Sequence, residues 1–177
     1  MQQLTAGSEQ FDFLWVTDFP LLAFDAAENK WNAVHHPFTR PKTDDLGKLE
    51  AGEFGKIRAE AYDVVLNGVE LGGGSIRIHE PDLQAKLFTA LGVSEADQQT
   101  LFGHILRAFR MGTPPHGGIA FGLDRIVMLI AGEQSIREVI AFPKTNRGLD
   151  LMSQSPGDVD ARQLRELGIK LSEPKNS

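Results

Sequence analysis

Residues His116 to Gly132 read His-Gly-Gly-Ile-Ala-Phe-Gly-Leu-Asp-Arg-Ile-Val-Met-Leu-Ile-Ala-Gly, and this stretch decides the fold. The pattern predicts a short strand from Gly118 to Phe121, a break at Gly122 and an apolar helix from Leu123 to Ala131. A strand that runs directly into a helix brings the helix N-terminus to the edge of a sheet. The chain around this stretch shows ordinary globular patterning, apart from two further segments described below.

The first turn of the predicted helix carries two charged residues, Asp124 and Arg125. The backbone N–H groups and the dipole at a helix start favour an anion, and an arginine can hold phosphate oxygens in a bidentate fork. The same residues also fit a simpler structure, in which Asp124 caps its own helix and Arg125 pairs with an acidic neighbour. The residues of this stretch alone leave both interpretations open.

The composition limits the classes of function. A chain of 177 residues with 41% hydrophobic and 24% charged residues is typical of one folded soluble domain. The formal charge of −6 argues against a chain that binds nucleic acid through its overall charge. The absence of cysteine excludes disulfides, thiolate nucleophiles and cysteine-based zinc sites. No run of apolar residues approaches membrane-spanning length and the start is polar, so we expect a cytoplasmic protein without membrane contact.

The second segment is a pair of histidines near the N-terminus. Residues 11–19 are predicted as a core strand and Lys30 to His35 as a second strand that forms a hairpin with it. Because His36 precedes a proline, its backbone is expected to be extended, and neighbouring side chains of an extended chain face opposite ways. Only one of the two histidines is therefore expected to point into any given pocket. An edge strand with one packed and one solvated histidine is the alternative.

The third segment, Tyr62 to Ile78, predicts a hairpin with Asn67-Gly68 at its turn. Strict alternation along the returning strand would place Glu70 and Arg77 on opposite faces, unless a bulge intervenes at the three consecutive glycines 72–74. Asp63, on the partner strand, is expected opposite Glu70 or beside it. Two neighbouring carboxylates need a cation between them, and their oxygens suit Mg²⁺. In the alternative interpretation, Glu70 and Arg77 pair with each other.

The remaining segments predict packing elements and connections. Residues 80–91 form a helix with proline in its first turn, and Ser94 begins a second helix whose apolar stripe is Leu101, Phe102, Ile105, Leu106 and Phe109. Arg107 and Arg110 are expected in solvent. Further predicted elements are a loop with a short helix at 41–59, a short helix from Ser135 and a last helix from Asp160 to Leu167. The domain is expected at residues 11–171, between a lead-in at 1–10 and a tail at 172–177.

Taken together, the segments resemble the bacterial-type aspartyl-tRNA synthetases, and the resemblance runs from about Phe11 to Leu171. The stretch from His116 to Gly132 is similar to motif 3 of the class II synthetases. The resemblance implies an α+β fold, the class II synthetase catalytic core with an antiparallel β-sheet flanked by helices, here in part. The matching segments, in chain order, are Trp15–Pro20, His35–Thr39, Tyr62–Ile78, Gly112–Arg125 and Val139–Thr145.

The resemblance also implies an aspartate–tRNA ligase that uses ATP and Mg²⁺ to form aspartyl-adenylate and then transfers aspartate to tRNA. No protein nucleophile is expected, because positioning and charge stabilisation suffice for both steps. The implied partners are L-aspartate, ATP and tRNA, the last mostly through other regions, and the family is homodimeric. The implied site residues are His35 and Arg77 for aspartate, Glu70, Gly122, Leu123, Asp124 and Arg125 for ATP, and Asp63 with Glu70 for the metal.

The chain departs from this family in its N-terminal part. The anticodon-binding OB domain, motifs 1 and 2 and the inserted domain have no counterpart here, so the chain resembles the C-terminal half of the catalytic domain. We therefore expect the isolated polypeptide to be inactive or weakly active, with apolar faces exposed. The alternative function is a non-catalytic synthetase-like module that binds a partner or a small molecule, or an inactive truncated product. The positive charge of Arg77 favours aspartate over the asparagine and lysine of close relatives.

Overall fold

A computed structural model describes residues 10–172, so the predicted lead-in and tail lie outside the described residues except for Gln10 and Ser172. Six strands and five α-helices follow one another in this part of the chain, with short 3₁₀ turns at 43–45, 54–56 and 136–138. The strands are β1 Phe13–Thr17, β2 Leu22–Asp25, β3 Lys30–Ala33, β4 Ala61–Leu66, β5 Val69–Ile76 and β6 Gly117–Phe121. The helices are α1 Leu46–Glu50, α2 Pro81–Ala90, α3 Glu95–Phe109, α4 Leu123–Ala131 and α5 Ala161–Glu166.

The main sheet contains four strands in the order β1-β4-β5-β6, and every neighbouring pair is antiparallel. This arrangement confirms the predicted antiparallel sheet flanked by helices. The strand predicted from the opening stretch begins one residue earlier than expected, at Gly117, and the helix after it has the predicted bounds. Gly132 ends this helix with a φ of 72°, a left-handed conformation that glycine adopts without strain.

The hairpin predicted for the N-terminal strands is wrong. Strand β1 pairs with β4 at the edge of the main sheet, and β3 pairs instead with β2, which the sequence did not distinguish from a turn region. Strand β3 also ends at Ala33, two residues before the predicted end. The two strands of the true hairpin are four residues each, too short for alternation to identify them reliably.

Helices α2 and α3 pack through an aromatic cluster, in which Phe102 and Phe109 belong to the apolar stripe predicted for α3. Phe88 of α2 is fully buried and stacks on Phe102 of α3 with ring centroids 5.2 Å apart, while Phe38 meets both rings edge-on. Leu101 is an exception to the predicted stripe, because 60% of its surface is exposed. Ser94 caps α3 by accepting the N–H of Asp97 at 3.1 Å, as expected.

Helix α4 covers only part of one face of the sheet. Its residues Ile126 and Leu129 pack on a buried cluster of Val64, Leu66 and Leu71. Met128 of this helix is also buried, but Leu123, Val127 and Ile130 remain exposed, and strands β1 and β6 at the two edges expose further large side chains. The exposed apolar residues of these three elements include Phe13, Trp15, Phe121, Leu123 and Ile130. The structure therefore has the uncovered apolar faces that the sequence predicts.

No helix within residues 10–172 combines the length and apolar character needed to cross a membrane.

The loop at 41–59 is held by a buried carboxylate. Asp45 is 1% exposed and accepts hydrogen bonds from Nε and the backbone N–H of Arg58, both at 2.9 Å. Nζ of Lys48 donates to the same carboxylate at 2.6 Å. These donors, first the Arg58 guanidinium and then Lys48, hold the pKa of Asp45 far below its usual range.

We expect Asp45→Asn to lower the melting temperature by several degrees at neutral pH, because the amide cannot accept this set of charged donors. A carboxyl group whose pKa is lowered in the folded state stabilises the fold fully above its ordinary pKa of about 4. That stabilisation declines as the pH falls below this value and is lost at the depressed pKa of the folded state. The difference in melting temperature should therefore be constant from about pH 5 to 8 and shrink below about pH 4. The exposed neighbour provides the control: Asp44→Asn should change little at any pH.

Candidate active site

A bulge in β5 determines which side chains face the candidate site. Val64 pairs with Gly72 and Val65 pairs with Glu70, so Leu71 is an extra residue in the strand. Leu71 packs with Val64 on the side covered by α4, and Glu70 is thereby turned to the opposite face. A bulge does interrupt the strict alternation, but it lies just before the glycine run, whereas the sequence predicts it within the run. The bulge brings Glu70 to the same face as Arg77.

That face forms one wall of a cavity of about 500 Å³. A volume in this range suits a small ligand. Six of the eight predicted site residues line the cavity, while the side chains of Leu123 and Asp124 lie outside it on the exposed first turn of α4. The six lining residues are His35, Asp63, Glu70, Arg77, Gly122 and Arg125.

Arg77 has an unsatisfied guanidinium. Its backbone is fixed, because its N–H donates to the carbonyl of His116 at 2.9 Å and it forms a bridge with Thr39. Its Nη1 atom is buried and has no hydrogen-bond partner within residues 10–172, and no carboxylate there forms an ion pair with it. Buried polar atoms without partners are rare and costly in proteins. An anionic ligand in the cavity would supply the missing partner.

The predicted alternative, in which Glu70 pairs with Arg77, is wrong. Glu70 lies instead against Arg125 of α4: the Nη1 atom of Arg125 donates to the Glu70 carbonyl at 2.8 Å and lies 3.7 Å from its carboxylate. The interpretation that Asp124 caps its own helix is also wrong, because Gly122 occupies the N-cap position and no side chain of the described residues caps it. Arg125 therefore does have an acidic neighbour, Glu70, as the simpler interpretation predicts, and both residues line the cavity.

Both histidines line the cavity, whereas strict alternation allowed only one. The reason is that β3 ends at Ala33 and the chain bends at residues 34–35 before the proline. His35 packs edge-on against Phe19, with ring centroids 4.6 Å apart. The Nδ1 atom of His36 accepts the backbone N–H of Phe38 at 3.1 Å. Partial burial, and then the positive charge of Arg77, lower the pKa of His36 below its ordinary value.

The carboxylate of Asp63 lies directly over Gly73, its cross-strand partner. A Cβ atom at Gly73 would come within 2.2 Å of Oδ1 of Asp63, so the missing side chain leaves room for this carboxylate. Asp63 pairs two positions from the partner of Glu70, which places the two carboxylates on the same face, side by side and not opposite. No group of three or more potential protein ligands for a metal occurs within residues 10–172. A pair of carboxylates still fits Mg²⁺, which commonly takes one or two carboxylates together with phosphate oxygens and water.

Two buried hydroxyl residues of the cavity escaped the sequence prediction. Thr39 is 1% exposed and Ser75 is 4% exposed, and the Thr39 hydroxyl donates to that of Ser75 at 3.4 Å. Alternation signalled Ser75, because it lies two residues before Arg77 on the same face. Nothing local signalled Thr39, since the segment reaches the cavity only by joining the end of β5 through the bridge to Arg77.

A family model, curated relatives and solved structures all give the same family for this chain. A family model described as "tRNA synthetases class II (D, K and N)" matches residues 1–146. The aspartate–tRNA(Asp/Asn) ligase of Methylacidiphilum infernorum is 58% identical over 176 residues, covering 98% of this chain and 29% of that protein. The aspartate–tRNA(Asp) ligase of Deinococcus radiodurans is 53% identical over 168 residues, covering 95% and 29%.

The solved aspartyl-tRNA synthetase of Entamoeba histolytica superposes with a TM-score of 0.57 and 30% identity, covering 78% of this chain and 24% of that one. The chain thus spans about three-tenths of the length of the curated relatives it matches. The family model matches most of the chain, and the fold contains the antiparallel sheet and motif-bearing helix that the resemblance implies. The chain belongs to the class II tRNA synthetases of the aspartate, lysine and asparagine group.

Proposed function

We propose that this chain supplies the C-terminal half of the catalytic domain of an aspartate–tRNA ligase. The observation that carries the proposal is the cavity in which Arg77, which forms no ion pair within residues 10–172, lies beside two carboxylates and a second arginine. Such a set suits a ligand that carries both a carboxylate and a phosphate with its metal. The names of the relatives support aspartate as the amino acid and tRNA as its acceptor.

Arg77 would bind the side-chain carboxylate of L-aspartate. A guanidinium presents two parallel donors that match a carboxylate, and a neutral amide or an ammonium group would leave this charge unpaired. This preference favours aspartate over asparagine and lysine. His35 would contact the bound amino acid from the loop above, and His36, which lies near Arg77, is placed to join it.

Arg125 would bind the γ-phosphate end of ATP. Glu70 already holds this arginine in place through its carbonyl, so the guanidinium is ordered before the nucleotide arrives. Gly122, Leu123 and Asp124 would meet the nucleotide at the N-terminus of α4, where the first backbone N–H groups have no partner within the helix. Since the side chains of Leu123 and Asp124 do not line the cavity, these two residues would act through their backbone.

Asp63 and Glu70 would hold Mg²⁺ together with the phosphates of ATP. Mg²⁺ held there would offset phosphate charge. The aspartate carboxylate would attack the α-phosphate of ATP, and pyrophosphate would leave as the bond between the α- and β-phosphates breaks. The residues of this chain would act by orienting the two substrates and stabilising charge, without a nucleophile of their own. The tRNA would be bound mostly by regions outside this chain, and the proposed activity would place the protein in the cytoplasm.

We expect the purified chain to show little or no aspartate-dependent exchange between ATP and pyrophosphate. The cavity would be only part of the complete site, since the relatives carry about seven-tenths of their length outside the matched segment. Activity should appear in a chimera in which this chain replaces the matching segment of the Methylacidiphilum infernorum ligase, because 58% identity preserves the packing. The measurement is the rate of exchange at saturating aspartate and ATP, with the unaltered ligase as reference.

Two outcomes would contradict this proposal. Robust exchange by the isolated chain would show that it is a complete catalyst and not half of one. A chimera that folds, with a cooperative unfolding transition, and yet shows no exchange would favour the alternative of a non-catalytic binding module.

A further inference from the structure

We propose that Gln84, in the core beneath the histidine loop, is a positioning residue that holds this loop over the cavity. The histidine loop comprises residues 35–37, and the inference rests on the proposed function for its consequence in aspartate binding. Gln84 lies on α2, is fully buried, and donates from Nε2 to the carbonyl of Pro37 at 2.8 Å. The residue itself does not line the cavity.

The orientation of the Gln84 amide is fixed by its partner. A carbonyl oxygen can only accept a hydrogen bond, so the nitrogen of the amide and not its oxygen must face Pro37. The Oε1 atom is left buried, without a hydrogen-bond partner in the described part of the chain. An apolar side chain of similar size would fill the same space beside Leu87 and Phe88 without this cost. The hydrogen bond to the loop is what glutamine adds at this position.

The His35 ring packs on Phe19, but the backbone of the histidine loop makes few other hydrogen bonds to the rest of the described chain. The N–H of Val34 donates to Leu21 before the loop, and the carbonyl of Phe38 accepts from Ile78 after it. Between these two points, within residues 10–172, the bond from the Gln84 side chain is the one hydrogen bond that joins the backbone of the loop to another element. Proline has no N–H, so the loop cannot gain a donor bond at its centre.

Displacement of this loop would move both His35 and His36 relative to the cavity that they line. The ring of His36 is oriented by its hydrogen bond to Phe38, and its pKa is lowered by partial burial and by Arg77. The other titratable groups that line the same cavity are His35, Asp63, Glu70 and Arg125. If Gln84 releases the loop, His36 moves towards water and away from Arg77, and its pKa rises towards the ordinary value of about 6.5.

The test compares Gln84→Met with Gln98→Met in the full chain. Gln98 also donates from Nε2 to a backbone carbonyl, that of Val93 at 2.9 Å, but it lies on α3 away from the cavity. NMR titration of the His36 ring is expected to show a raised pKa in Gln84→Met and the wild-type pKa in Gln98→Met. If Gln84→Met does not fold, Gln84→Asn shortens the side chain so that its amide cannot reach Pro37, and the same shift is expected.

Kinetics in the chimera supply the second measurement. If the loop occupies its productive position about one-tenth of the time, the KM for aspartate rises about tenfold in Gln84→Met. The KM for ATP should not change. A lowered melting temperature with an unchanged His36 pKa and aspartate KM would overturn the inference, because it would show a purely structural role. Absence of exchange in the unmutated chimera would count against the proposed function alone, and the NMR titration would still decide whether Gln84 anchors the loop.

Discussion

Replacing Arg77 with leucine in the chimera is expected to raise the KM for aspartate by about 100-fold or more, because loss of one partner from a buried charged pair costs several kcal/mol. The expectation follows from the guanidinium that lacks an ion-pair partner in the described part of the chain. The KM for ATP should stay close to that of the unmutated chimera, because Arg125 and the carboxylate pair are untouched. Aspartate-dependent pyrophosphate exchange at varied aspartate and at varied ATP measures both values.

Arg77→Lys separates the charge of this residue from its geometry. Lysine keeps the positive charge but loses the two parallel donors, so an intermediate KM for aspartate is expected. If Arg77→Leu raised the KM for ATP and left that for aspartate unchanged, Arg77 would belong to the nucleotide site. Equal KM values for aspartate in the leucine and lysine variants would show that the charge contributes nothing.

Gly74→Ala is expected to lower the free energy of unfolding by about 3 kcal/mol, at the upper end of the usual cost of overpacking. A Cβ atom at Gly74 would come within 1.9 Å of the carbonyl oxygen of Gly118 on the neighbouring strand. Because this oxygen belongs to the backbone, the variant must push β6 away from β5. Denaturant unfolding of the chain or of the chimera measures the change.

Gly118→Ala is the matched control for this prediction. It adds the same methyl group to the facing strand, where a Cβ atom would meet nothing within 4 Å. A change below about 1 kcal/mol is expected, since a glycine in a strand is itself a weak residue. In the chimera, Gly74→Ala should also slow exchange, because β6 leads directly into the helix that carries Arg125. Similar stabilities for the two variants would show that β6 shifts without cost.

The helical half of the fold could be predicted closely from local sequence. Helix α4 has its predicted bounds, and Ser94, Ser135 and Asp160 cap the elements that they were expected to begin. Such signals lie within a few residues of the structure they specify. The site residues could be gathered by resemblance, and six of the eight indeed line one cavity.

The errors concern pairings between distant parts of the chain. Nothing in residues 11–19 specifies that β1 joins β4 in place of β3, since this choice depends on what packs over the completed sheet. The second histidine reaches the cavity because the chain bends after Ala33, and alternation holds only while a strand continues. Gln84 is a polar residue of α2 that no local pattern marks as buried, and only the fold shows that it lies under the loop.

The extra residue Leu71 has a consequence for how this strand tolerates change over evolution. Removing one residue from the strand at this point would turn Glu70 towards Val64 and Leu66, and a carboxylate would then be buried against the apolar side of α4. Substitutions along β5 alter one contact each, whereas a single-residue deletion exchanges the chemistry of its two faces. A one-residue gap here in a related protein would therefore mark the loss of an acidic group from the cavity, and not a harmless difference in length.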